Sequence, residues 1–128
     1  MTSGHSNHWA TIEAEHAALV EMLDQARLVA ARSNLSARAV IPVYEAIVKR
    51  FEEHFASEER LMQMTRYPEA ETHGCHHQVL LIRLLSICER MKATQSVEIE
   101  QLELTFQSLL DDAIGADVHL RDYLARLG

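Results

Sequence analysis

The fold of this chain is decided by two short stretches, HFASE at residues 54–58 and HGCHH at residues 73–77. Each stretch places two metal-binding side chains four residues apart, His54 with Glu58 and His73 with His77. On an α-helix, residues four apart lie one above the other on the same face. The Tyr67-Pro68 pair between the stretches can end one helix and begin the next. We therefore predict two antiparallel helices that direct both pairs toward a shared centre.

The composition favours an all-α fold. The chain has 128 residues, of which 48% are hydrophobic, and it contains four glycines and two prolines. This length is enough for one domain with a sizeable core. The formal net charge of −7 argues against a nucleic-acid surface and against binding to anionic membranes. The beginning of the sequence has no apolar signal segment, so we expect a cytoplasmic location.

The hydrophobic periodicity predicts four helices, over about residues 12–31, 39–65, 68–92 and 97–127. Because the connections are short, these helices predict an antiparallel up-down-up-down four-helix bundle over residues 11–128. Residues 1–10 are expected to form a short N-terminal arm, with Trp9 packing it against the bundle. Each helix has an apolar seam, the row of residues at steps of three and four that faces the core.

Six ionisable residues fall on these seams: His16, His54, Glu58, His73, His77 and Asp117. Burying an unpaired imidazole or carboxylate costs several kcal/mol, so six such groups in one core need a common partner. A metal ion is the simplest partner, and all four helices contribute to it, as in the di-metal sites of bundle cores. The sequence therefore predicts a metal centre inside the bundle.

The types of ligand indicate the metal. Imidazole and carboxylate without thiolate suit iron or manganese, and zinc less specifically, whereas calcium and magnesium prefer oxygen ligands. Five or more ligands exceed the number that one tetrahedral zinc ion takes. A carboxylate in the middle can bridge two ions. We therefore predict two metal ions, and iron as the metal.

These residues resemble the hemerythrin family in its bacterial form. The similar elements are IEAEH at residues 12–16, HFASEE at residues 54–59, Met62, Tyr67-Pro68 and the His73-x-x-x-His77 pair. The resemblance covers about residues 9–127. It implies a non-haem di-iron centre that binds O2, with one iron held by His16 and His54 and the other by three histidines, two of them His73 and His77. It further implies bridging by Glu58, by Asp122 and by an oxo or hydroxo group.

The fourth helix departs from the family pattern, which has His-x-x-x-x-Asp there. Counting back five residues from Asp122 gives Asp117 instead of a histidine, and His119 lies nearby. In one interpretation Asp117 replaces the last histidine as a terminal ligand, and the seam favours it. In the other, the helix shifts so that His119 binds. In a third, water fills the position.

The resemblance therefore implies an O2-binding protein that serves carriage, storage or sensing, and a monomer. The alternatives are a di-iron redox enzyme of the peroxidase or oxidase kind, and a protein that handles nitric oxide or iron. The departure at Asp117 supports the enzyme, because a carboxylate in place of a neutral imidazole adds negative charge and stabilises ferric iron.

Overall fold

The computed structural model describes residues 3–32, 36–97 and 99–127. These residues form four helices, which are α1 (Ser3–Arg32), α2 (Ala37–Met64), α3 (Ala70–Thr94) and α4 (Ile99–Leu127). Helix α1 packs against α2 and α4, and α3 packs against the same two helices. The predicted all-α four-helix bundle is therefore confirmed.

Two helix starts differ from the sequence-based prediction. Helix α1 begins at Ser3, so residues 3–10 are helical where we expected an arm, and Trp9 packs against the bundle as predicted. Helix α3 begins at Ala70, two residues later than the predicted start near Pro68. A tight turn occupies the residues between α2 and α3.

This turn is stabilised by its own backbone hydrogen bonds. Arg66 takes a left-handed conformation with φ of 57°, and the N–H of Tyr67 donates to the carbonyl oxygen of Met62 at 2.9 Å. This six-to-one bond is the mark of a Schellman motif, which satisfies carbonyl groups at a helix end. The hydroxyl of Tyr123 in α4 donates to the carbonyl oxygen of Thr65 at 2.7 Å. The turn therefore fixes the ends of two helices and also holds the fourth helix.

The core consists of two apolar clusters. The large cluster lies toward the α1–α2 and α3–α4 connections, and its bulkiest members are Leu19, Tyr44, Ile47, Phe51, Phe55, Leu80, Leu84, Phe106 and Leu110. The small cluster lies toward the α2–α3 turn and consists of Ile12, Leu61, Met62, Tyr67, Leu120 and Leu124, with Trp9, Ala70 and Tyr123 packed against it. Both clusters arise because the apolar seams of the four helices meet along the bundle axis.

The outward faces of the helices carry exposed charges, such as the pair of Lys92 and Glu45 at 2.6 Å. Such an exposed pair contributes little to stability. Within the described ranges, no helix combines the length and apolar character that crossing a membrane requires. The cytoplasmic location and the monomeric state stay predictions.

Candidate metal centre

A layer of six buried ionisable residues separates the large cluster from the small one. Helix α1 supplies His16, α2 supplies His54 and Glu58, α3 supplies His73 and His77, and α4 supplies Asp117. Glu58 is 0% exposed and Asp117 is 1% exposed. We call this layer the centre. Its members are the six residues that the seams predicted would face inward.

The centre consists of two overlapping groups of four residues. In each group, one donor atom from each residue lies within 4.8 Å of the others. The first group contains His16 and His54, the second contains His73 and His77, and both contain Glu58 and Asp117. Two histidines thus lie on each side, with two carboxylates between them.

Each of the two shared carboxylates reaches both pairs of histidines. Oxygen Oε2 of Glu58 lies 2.6 Å from Nε2 of His54, and its Oε1 lies 3.0 Å from Nε2 of His73. Oxygen Oδ2 of Asp117 lies 2.7 Å from Nε2 of His16, and its Oδ1 lies 2.9 Å from Nε2 of His73. The Nε2 atom of His77 lies 3.1 Å from Oε1 of Glu58. Both carboxylates therefore lie between the two pairs of histidines.

The structure does not bring Asp122 or His119 to the centre. The side chain of Asp122 is 52% exposed and lies 3.3 Å from the guanidinium of Arg121, and His119 is exposed. Asp122 lies about 140° and His119 about 200° around α4 from Asp117, and of these three side chains it is Asp117 that faces the core. Asp117, and not Asp122, therefore lies between the two pairs of histidines, and its role as a metal ligand stays a prediction.

Among the side chains that the structure describes, the two donor groups together contain four histidines, and neither group contains a third. If Asp117 is the shared carboxylate, the family spacing places the missing histidine five residues earlier, at Asp112, which is exposed. In that case the departure would remove one neutral donor and add no carboxylate. The charge argument that the sequence offered for the enzyme would then not apply.

Two further carboxylates, which the sequence analysis did not identify, accept hydrogen bonds from the Nδ1 side of histidines in the centre. The Nδ1–H of His54 donates to Oε1 of Glu15 at 2.7 Å, and the Nδ1–H of His77 donates to Oε2 of Glu59 at 3.2 Å. Such a bond fixes the tautomer and directs the Nε2 lone pair toward a metal. The signal was available in the sequence, since each glutamate directly precedes or follows an inward-facing ligand.

Aromatic rings fix the planes of three imidazoles. Phe55 stacks on His77 with ring centroids 4.0 Å apart and an interplanar angle of 8°. Trp9 meets His16 edge-on at 6.2 Å, and Tyr67 meets His73 edge-on at 6.3 Å. These contacts leave the centre in apolar surroundings, in which charge interactions are strong.

In the metal-free chain, the opposite charges of the centre stabilise one another. Burial lowers the pKa of His54, but the carboxylates of Asp117, Glu58 and Glu15 outweigh burial and raise this pKa to about 10. Burial also lowers the pKa of His73, and Asp117 and Glu58 raise it to about 9. Burial raises the pKa of Glu58, but the surrounding imidazoles hold it well below its usual range. A cation that binds Nε2 atoms must therefore displace protons.

The donor atoms fit a bound cation better than they fit one another. Nε2 of His54, Oε2 of Glu58 and Oδ1 of Asp117 are buried and have no well-aligned hydrogen bond among the described residues, despite their short separations. Buried polar atoms without partners are rare and call for an explanation, such as an ion. A metal ion among these atoms would satisfy all three.

The fold and the centre define a class, that of four-helix bundles with a buried histidine–carboxylate cation site. The family model of the hemerythrin HHE cation binding domain matches residues 7–125, and the chain therefore belongs to the hemerythrin family. The resemblance that the sequence motifs indicated is thereby confirmed.

Comparison with curated proteins supports this membership. The chain is similar to the bacteriohemerythrin of Stenotrophomonas maltophilia, with 28% identity over 106 residues. The matched region spans 83% of this chain and 68% of that protein. No solved structure matches the chain.

Proposed function

We propose that the centre binds two iron ions and that the loaded protein binds O2. His16 and His54 would hold one ion, His73 and His77 would hold the other, and both shared carboxylates would bridge them. The observation that carries the proposal is this sharing, since Glu58 and Asp117 each belong to both donor groups. A single ion would leave one pair of histidines without a metal.

The donor set supports iron. Four imidazoles and two carboxylates without a thiolate are typical of iron and manganese sites in helical bundles. The name of the similar protein, bacteriohemerythrin, agrees with this choice. When bound, iron would supply reversible redox chemistry and affinity for O2.

The chain itself would orient the donors and exclude water. Glu15 and Glu59 hold two of the imidazoles with Nε2 facing inward. The large and small clusters close the two ends of the centre with apolar side chains. Four protein donors per ion would leave coordination positions that a small molecule can take.

A second candidate function is a di-iron redox enzyme that reduces peroxide or O2. The observation that favours it is the 2+2 arrangement of histidines, since neither group contains a third histidine among the described side chains. A position that the family fills with imidazole would then be open to a reactant. We place the O2-binding function first because two shared carboxylates are also what the family resemblance implies, although Asp117 stands here where the resemblance gave Asp122.

The test is the visible spectrum of iron-loaded, anaerobically reduced protein while O2 is admitted and then removed. We expect two iron ions per chain and an absorption band that appears with O2 and disappears without it. Asp122→Asn is the matched control, because this exposed carboxylate lies outside the centre. Conversion to a stable oxidised spectrum would favour the enzyme, and failure to bind iron would overturn the proposal.

A further inference from the structure

A surface cleft lies beside the centre, between α3 and α4. Its volume is about 250 Å³, and the ring of His73 is part of its lining. Thr72 and His76 line it from α3, and Ala116 and His119 line it from α4. Three of these five residues are histidines, of which only His73 belongs to the centre.

His73 belongs to the cleft and to the centre at the same time. Its Nε2 lies 3.0 Å from Oε1 of Glu58 and 2.9 Å from Oδ1 of Asp117, inside the centre. It is 7% exposed, whereas His77, one turn later on the same helix, is 1% exposed. His73 is therefore the residue that connects the lining of the cleft with the two shared carboxylates.

The lining of the cleft suits small, uncharged molecules. Ala116 directly precedes Asp117 and places only a methyl group beside the His73 ring. Nε2 of His76 is buried and has no hydrogen-bond partner among the described residues, so it can form a hydrogen bond with a small molecule in the cleft. Glu69 also lines the cleft, and its carboxylate, in a chain with a net charge of −7, opposes the approach of anions.

We propose that this cleft is the route by which small uncharged molecules, of the class of O2 and hydrogen peroxide, reach the His73 side of the centre. The use of this route by a metal-bound protein rests on the proposed function. Access to His73 itself is a property of the folded chain and can be measured without iron. Ala116 and Thr72, on facing helices, would then set the width of the route.

The experiment uses dissolved O2 as a paramagnetic probe of the full chain with carbon-13-labelled histidine rings. The protein is loaded with diamagnetic Zn²⁺, or used without metal if none binds. We expect O2 to relax the ring protons of His73 more than those of His77. Ala116→Phe fills the cleft and is expected to lower the effect at His73 several-fold, while Ala125→Phe, at an exposed site on the same helix, leaves it unchanged.

Thr72→Phe fills the same cleft from the α3 side and replaces Ala116→Phe if that variant does not fold. A neutral gadolinium chelate, too large for the cleft, is expected to relax exposed His119 and not His73. The proposal is overturned if O2 relaxes His73 no more than His77, if neither variant changes the effect, or if the chelate relaxes His73 equally. A chain that shows O2 access to His73 but binds no iron contradicts the proposed function and leaves the route standing.

Discussion

The large cluster and the centre are neighbours in one bundle, but they act on its stability in opposite ways. Ile47, Phe51 and Phe106 in the large cluster are fully buried. Burying side chains of this kind stabilises a fold by about 1.5–3 kcal/mol each. The centre instead buries six ionisable groups, whose desolvation offsets much of the attraction between them. The large cluster therefore holds the bundle together, and this stability keeps the donors of the centre in place.

The first prediction removes a shared donor from the centre. Asp117→Ala takes one ligand from both groups, and we expect the loss of stoichiometric iron while the helical content persists, because the large cluster is unchanged. Iron per chain and far-ultraviolet circular dichroism measure the two effects. Asp122→Ala is the control and is expected to retain its iron. Full iron content in Asp117→Ala would show that the centre is held by other residues.

The second prediction targets the large cluster. Phe51 is fully buried one turn before His54, and Phe51→Ala is expected to lower the free energy of unfolding by about 3–5 kcal/mol. Chemical denaturation of the metal-free protein measures it. Iron stoichiometry under native conditions is expected to stay the same, since Phe51 offers no donor. A Phe51→Ala protein that stays folded but loses iron would show that the two regions are not separable.

The third prediction compares stability with and without metal. A ligand at about 100 times its dissociation constant stabilises the native state by about 2.7 kcal/mol, so iron is expected to raise the melting temperature and a chelator to reverse the rise. Differential scanning fluorimetry under anaerobic conditions measures it. Asp117→Ala is expected to show no such rise. An equal rise in this variant would place the stabilising metal elsewhere on the chain.

The fourth prediction concerns the two carboxylates behind the histidines. Loss of such a partner weakens metal binding by about 10–100-fold, so Glu15→Gln and Glu59→Gln are both expected to bind metal less tightly. Glu15→Gln is expected to have the larger effect, because its bond is 2.7 Å long against 3.2 Å and Glu15 is less exposed. Competition titration with a chelator measures both. Glu13→Gln, at an exposed site on α1, is the control, and equal loss in all three would point to a general charge effect.

The fifth prediction has the smallest expected effect and concerns α4, the helix that carries Asp117. Gly115 lies inside α4, and a methyl group added there would meet nothing within 4 Å. Gly115→Ala is therefore expected to stabilise the chain by about 1 kcal/mol through helix propensity alone. Thermal unfolding measures it, with metal affinity unchanged. Destabilisation would show that α4 needs conformational freedom at this position.

The bundle and the inward-facing residues could be predicted because both follow from periodicity. His16 and Asp117 were assigned inward by the seams, and the structure places both in the centre. The bridging role of Asp122 came from family spacing instead, and the structure leaves this side chain 52% exposed at the surface. The seam was therefore the better guide in α4.

Other features depend on side-chain conformation and packing across helices, which a pattern of residues does not specify. Glu15 and Glu59 each adjoin an inward-facing residue in the sequence, but the imidazoles that they contact lie on neighbouring helices, and spacing along one helix does not specify those partners. The start of α1 at Ser3 was not indicated either, because the predicted seam begins at Ile12. Helix propensity alone did not indicate these contacts.

The hydrogen bond from Tyr123 to the α2–α3 turn has a consequence for how the protein opens. It joins the last turns of α4 to the residues that end α2, close to the small cluster that covers the centre. Helix ends normally fray at little cost in free energy. Here, fraying of α4 must break this bond and uncover the side chains above the donors. The frequency of that local opening therefore sets an upper limit on the exchange of a cation through this end of the bundle.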